Sequence, residues 1–198
     1  MNHDKATVRD TIIDVSRELM ARYGYRKMTV DDIAKEARIG KGTIYLHFHS
    51  KEDIAVASVD KINERLQERL IEMAANVDSP SAKLKKMVVE RVLFRMDALK
   101  DHRQCLDEDL ALLRPRISLR KESYYQAEAE IFAKVIVEGQ DAGYFRQGDA
   151  MNIAKALILA TNGFMPFSLT VKEVGEPEEV KRKLLSVFDL ILQGLAFG

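Results

Sequence analysis

Apolar residues recur at three- and four-residue intervals along almost the whole chain, and proline occurs only at Pro80, Pro115, Pro166 and Pro177. A 3.6-residue period gathers such residues on one stripe of a helix, whereas strands need strict alternation, which is rare here. The pattern predicts an all-α protein of about nine helices.

The first helix is expected over 5–23, with Val8, Ile12, Val15, Leu19 and Tyr23 on its inward stripe and Gly24 as its C-terminal stop. Thr29 and Asp32 have the spacing of a capping box, with Asp in place of Glu, at the start of a short second helix whose inward residues are Ile33, Ala34 and Ala37. A turn at Arg38-Ile39-Gly40 leads to a third helix over 41–48 that buries Ile44 and Phe48. Ser50 to Asp53 repeats the capping signature and opens a long fourth helix reaching about Ala75. After a break at 76–80, helices are expected at 81–99, 101–113, 117–142, 149–171 and 177–196.

Thirty-one basic residues are balanced by thirty-one acidic ones, so no global positive field draws the chain to DNA or to an anionic membrane. Nucleic-acid affinity has to come from a local patch. Cys105 is the single cysteine, which excludes an internal disulfide framework and suits a reducing, cytoplasmic address. The first twenty residues carry charges throughout, and no apolar run is long enough to span a bilayer, so neither a signal peptide nor a membrane partner is expected. His3, His47, His49, His102 and Cys105 show no zinc spacing beyond the His102–Cys105 pair. No phosphate loop, nucleophile motif or Glu-x-x-His repeat is found, so the expectation is no metal, no cofactor and no enzymatic activity.

The local patch is present between Gly24 and Lys51, where six Lys or Arg stand against three Asp or Glu, a balance of +3. Helix, tight turn, helix is the arrangement that inserts its second helix into a major groove. Gly40 and Gly42 keep the entering end slim. Lys41 can donate to guanine, Thr43 can meet a thymine methyl or a phosphate, and Tyr45 can donate its phenolic proton to a phosphate oxygen. Thr29, and Lys51 at the start of the fourth helix, are placed to hold phosphates and so set register.

At these residues the chain resembles the tetracycline-repressor-like (TetR) family of transcriptional regulators. The matching stretches are Thr29-Val-Asp-Asp-Ile33-Ala34, Ile39-Gly-Lys-Gly-Thr43-Ile44-Tyr45-Leu46-His47-Phe48 and Ser50-Lys51-Glu52, within about 12–54. The resemblance implies an N-terminal three-helix DNA-binding domain at 1–53, and a larger helical ligand-binding and dimerisation domain at 54–198. It further implies a homodimer that most often represses a promoter and leaves its operator when a small molecule binds. By the family pattern Thr29, Lys41, Gly42, Thr43, Tyr45, His47 and Lys51 form the DNA-facing set.

In the C-terminal part, Phe94, Leu110, Tyr124, Tyr125 and Phe132 are candidates to line a pocket for an apolar or amphipathic effector. Arg95, Asp97, Glu108 and Asp109 read as solvated faces. The last two helices carry long apolar stripes, with Leu157, Phe164, Leu184, Phe188, Ile191 and Leu195 as candidates for a four-helix contact across a two-fold axis. The alternatives are a constitutive DNA-binding protein without a ligand, whose core would hold no cavity, and a helical adaptor with no operator preference.

Overall fold

The computed structural model describes residues 2–98, 106–164 and 175–195, with side chains from residue 8 onward and, in the helix opening at Leu106, from residue 112. The described residues form eight α-helices and no strand: α1 (Asn2–Lys27), α2 (Val30–Glu36), α3 (Lys41–His47), α4 (Lys51–Ala74), α5 (Pro80–Ala98), α6 (Leu106–Asp141), α7 (Ala150–Thr161) and α8 (Pro177–Leu195). A 3-10 turn, Asn162–Phe164, follows α7.

The chain divides into two compact units, Met1–Ile62 with Leu99–Leu119, and Asn63–Ala98 with Arg120–Gly198. The first division falls inside α4, nine residues beyond the expected boundary at 53/54. Residues Ile54, Ala55, Val56 and Val59 of α4 are buried in the first unit. There the Ser16 and Ser58 hydroxyls meet at 3.3 Å between α1 and α4, and Lys61 pairs with Asp10 and Asp14 of α1 at 3.1 and 3.0 Å. The first unit's core is completed by Ile12, Ile13, Leu19, Ile33, Ile44 and Phe48. The second unit has its own core of Leu66, Leu70, Leu84, Met87, Val88, Val92, Phe132, Ile136, Leu157, Leu184 and Phe188.

Three elements differ from the sequence expectation. The helices expected at 101–113 and 117–142 are one helix, α6, with Pro115 inside it. A proline interrupts one helical hydrogen bond at a cost of about 3 kcal/mol. Leu113 and Ile117, on either side, are 6% and 8% exposed, and burial of two such side chains is worth about 3 to 6 kcal/mol, enough to carry the helix through.

In α1, Gly24 does leave helical geometry, at φ 79 and ψ 159, yet helical turns resume to Lys27. After the break Tyr25 is buried, at 5% exposed, whereas Tyr23, expected inward and ahead of the break, is 52% exposed. Finally, α7 ends at Thr161 and not near 171. Asn162 serves as its C-cap, donating its N–H to the Leu159 carbonyl, and the following Gly163 weakens continuation. The remainder of that expected helix, 165–171, lies outside the described residues.

Candidate nucleic-acid interface

Thr29 caps α2 as a complete capping box. Its N–H and hydroxyl donate to Asp32 Oδ2 at 2.9 and 2.6 Å, and the Asp32 N–H donates back to Thr29 Oγ1 at 3.1 Å. The Thr29 hydroxyl and N–H hold the Asp32 carboxyl below its ordinary range, so it remains an anion at α2's positive end. Asp32 protects the end of α2, and Thr29 is exposed beside it.

The turn out of α2 is a Schellman stop. Arg38 N–H donates to Lys35 O at 3.2 Å and Ile39 N–H donates to Ala34 O at 3.0 Å. The left-handed position this wiring requires is held by Arg38, at φ 54, and not by the glycine two residues later. Gly40 has ordinary extended geometry, φ −70 and ψ 144, and starts α3 without any side-chain cap.

Helix α3 is divided lengthwise. Ile44 and its cap Phe48 are buried, with the Arg9 guanidinium 5.1 Å above the Phe48 ring. Lys41, Gly42, Tyr45, Leu46 and His49 are exposed, Tyr45 by 48% and Leu46 by 84%, while Thr43 and His47 are half-buried. A methyl group added at Gly42 would meet no heavy atom within 4 Å. Folding therefore does not require that glycine, which in a helix costs roughly 0.5 to 1 kcal/mol relative to alanine. Lys41 donates to Asp31 Oδ2 at 2.9 Å, and this contact raises its pKa and keeps it cationic. Both groups are solvated, so the pair is weak and a phosphate can replace the carboxylate.

Lys51 has a different role from the one its sequence position implied. Its ammonium donates to the carbonyls of Tyr25 (3.0 Å), Arg26 (3.4 Å) and Met28 (3.0 Å) and lies 4.3 Å from the Tyr25 ring centre. It thus caps the carbonyl end of α1, where a cation is favoured. Beside it, the Tyr25 hydroxyl donates to Glu52 Oε1 at 2.7 Å and pulls the Glu52 carboxyl below its usual range. Adjacent residues at the start of α4 therefore hold the end of α1. Sequence reading missed Tyr25, Arg38 and Leu46; the signal for Tyr25 was its place one residue after a helix-breaking glycine.

The matches to known proteins fall on this unit and extend beyond it. The model of bacterial regulatory proteins of the tetR family matches residues 12–57. The fatty acid metabolism regulator protein of Bacillus subtilis (strain 168) is 30% identical over 156 residues, 76% of this chain and 77% of that protein. The chain belongs to the TetR family of transcriptional regulators. The negative transcriptional regulator IcaR of the biofilm operon in Staphylococcus aureus is 44% identical over 52 residues, 26% of this chain and 28% of its own. A solved transcriptional regulator from Cytophaga hutchinsonii ATCC 33406 has the same fold at TM-score 0.80 and 23% identity, covering 95% of this chain and 98% of that one.

In the second unit of this TetR-family chain, Phe94 and Tyr125 pack against the core that holds Phe132. Phe132 is fully buried in the core, and Phe94 is half-buried under the Arg69 guanidinium at 5.1 Å. Tyr124 is half-buried, while Tyr125 lines an open cleft of about 190 Å³ together with Ile158, Leu159 and Asn162. Leu110 lies outside the described side chains.

Of the residues expected at a subunit contact, Leu157, Leu184 and Phe188 are at most 2% exposed within the single chain. They are core residues, because α5, α7 and α8 pack on one another and use these stripes. Phe164, Ile191 and Leu195 are half-buried against the same core. The apolar residues left outward on α7 and α8 are Leu159 and Leu190, 72% and 70% exposed. Arg95, expected on a solvated face, is 3% exposed, and Asp97 is exposed. Among the described residues no three His, Cys, Asp or Glu gather as metal ligands, and no helix is long and apolar enough to cross a membrane; His102 and Cys105 lie outside them.

Proposed function

We propose that the protein is a cytoplasmic homodimeric repressor that reads a palindromic operator with α3 and is released by a small apolar or amphipathic effector held in the second unit. The observation that carries the DNA reading is the outward face of α3. Lys41, Gly42 and Tyr45 lie open there, Gly42 has no fold-based reason to be a glycine, and Arg38 holds a strained backbone beside them. Tyr45 and Lys41 supply phosphate and base-edge donors, and Thr43 and His47 lie at the margin of the face. Lys51 contributes indirectly, by fixing the end of α1.

A two-fold dimer presents two such helices to half-sites one helical turn apart, roughly 34 to 36 Å. Leu190 is the exposed apolar residue on α8 that a second copy would cover. Helix α4 starts at the DNA-binding unit and continues as backbone of the second unit, so a shift of that helix is the route by which an effector would alter operator affinity. The similarity to IcaR, a negative transcriptional regulator, supports repression.

The test is binding of the purified protein to its own upstream intergenic DNA at stated salt, against scrambled DNA and against Tyr45→Ala. The expected outcome is tight binding to a palindrome that Tyr45→Ala weakens at least about tenfold, the effect of one lost groove or phosphate contact. Equal binding of specific and scrambled DNA points to the adaptor alternative.

A further inference from the structure

The occupant of the cleft can be specified further, on the basis of the proposed effector site. Arg91 and Arg95 are one turn apart on α5, 0% and 3% exposed, and both bond the fully buried Glu128 of α6, Arg91 through Nε and Arg95 through Nη2. Their other described partners are neutral. Arg91 donates to Thr161 Oγ1 at 2.9 Å and to Asn162 Oδ1 at 2.6 Å. Arg95 donates to the Arg91 carbonyl at 3.0 Å and to Asn63 Oδ1 at 2.6 Å.

Among the described residues, two guanidinium groups, which stay protonated in proteins, thus share one carboxylate, a surplus of one positive charge in a buried cluster. A buried charge without a counter-ion is unfavourable, and hydrogen bonds to neutral oxygens offset only part of that. The Tyr125 ring, 5.4 Å from the Arg91 guanidinium, adds a quadrupole but no charge.

Tyr125 and Asn162, which cover Arg91, are also walls of the cleft, with Ile158 and Leu159 as its apolar side. The charged lining residues Lys155 and Glu122 are opposite in sign and offset each other. At about 190 Å³ the space is smaller than the roughly 300 to 1,000 Å³ typical of sites for larger ligands, which limits the occupant to a short molecule. We propose that the cleft binds a short aliphatic carboxylate, whose head group replaces the Asn162 carboxamide on Arg91 and supplies the negative charge the buried cluster lacks. The apolar tail lies against Ile158 and Leu159. Asn162 directly follows the last residue of α7, and Thr161 bonds Arg91 as well, so the ligand engages the end of that helix.

The test uses the full-length protein with hexanoate as probe and 1-hexanol as its uncharged counterpart, read by calorimetry and thermal melting. Hexanoate is expected to bind roughly tenfold or more tightly than 1-hexanol, the gain of one charge-assisted contact. Asn162→Asp places a carboxylate on Arg91 from within; it should raise the melting temperature of the free protein and weaken hexanoate at least about tenfold. Asn162→Ala removes the neutral cover without adding charge and should leave hexanoate binding intact or tighter. Lys155→Ala should change it less than about threefold, as for a solvated ion pair.

Equal binding of the two probes, absence of hexanoate binding, or a Lys155→Ala loss larger than that of Asn162→Asp overturns the proposal. Operator binding by the unliganded protein is read separately. Hexanoate that binds without altering operator affinity overturns the effector role and leaves the carboxylate site standing.

Discussion

Two helices in this chain end on the same hydrogen-bond wiring with different residues at the critical position. At the end of α6, Gly143 N–H donates to Gln140 O and Tyr144 N–H to Gly139 O, and the left-handed residue is Gly143 at φ 74. At the end of α2 the equivalent residue is Arg38 at φ 54. Glycines show the reverse contrast. A Cβ on Gly139 would lie 2.2 Å from the Phe145 ring, whereas one on Gly42 would touch nothing. At the end of α6, Gly139 and Gly143 occur where packing and backbone geometry demand glycine. Around α3 residue choice departs from what folding alone favours, as expected where an external surface makes the demand.

Gly139→Ala should give the largest effect of breaking this contrast. Phe145 is fully buried, so the clash forces a core shift costing about 1 to 3 kcal/mol, seen as a lower denaturant midpoint. Arg38→Gly should relieve left-handed strain and stabilise the first unit by ~1 kcal/mol, while removing a cation from the reading face and lowering operator affinity. Gly42→Ala should stabilise by roughly 0.5 to 1 kcal/mol yet weaken operator binding. If Gly42→Ala binds operator as tightly as the unaltered protein, the contrast between the two regions fails.

The smallest effect is expected from Tyr25→Phe and depends on pH. Tyr25 lowers the Glu52 pKa, so its contribution is present above the unfolded carboxylate value of about 4.3 and is lost as pH falls through the lower folded value. The stability difference between the two proteins should therefore shrink in acid. A difference that stays constant from neutral pH into that range would assign the role of Tyr25 to packing alone.

The parts legible in the sequence are those whose causes are local. The Thr29–Asp32 box, the short α3 and the start of α4 each depend on residues within four positions of one another. Pro115 misled because its local penalty is outweighed by burial of Leu113 and Ile117, which depends on distant partners. Tyr25 takes its buried place because Gly24, just before it, leaves helical geometry.

The Arg91–Glu128–Arg95 cluster joins residues 33 and 37 positions apart and could not be paired from spacing. A partial signal was there: Arg91 and Arg95 continue the stripe of Leu84 and Val88, an apolar face that solvated arginines would not share. The apolar stripes of α7 and α8 were legible as buried, but Leu157, Leu184 and Phe188 are covered within the single chain, since a stripe reports burial without naming what covers it.

The clasp at the start of α4 has an evolutionary consequence. Lys51 grips a carbonyl 23 residues earlier at Met28 and Glu52 grips Tyr25, so the chain carrying α2, the turn and α3 begins and ends at one fastened point. A segment closed in this way can change its outward residues, and even be exchanged for that of a relative, while the body it is fastened to keeps its packing. New operators are then reachable through a short cassette, and the machinery that senses the small molecule need not be reinvented for each one.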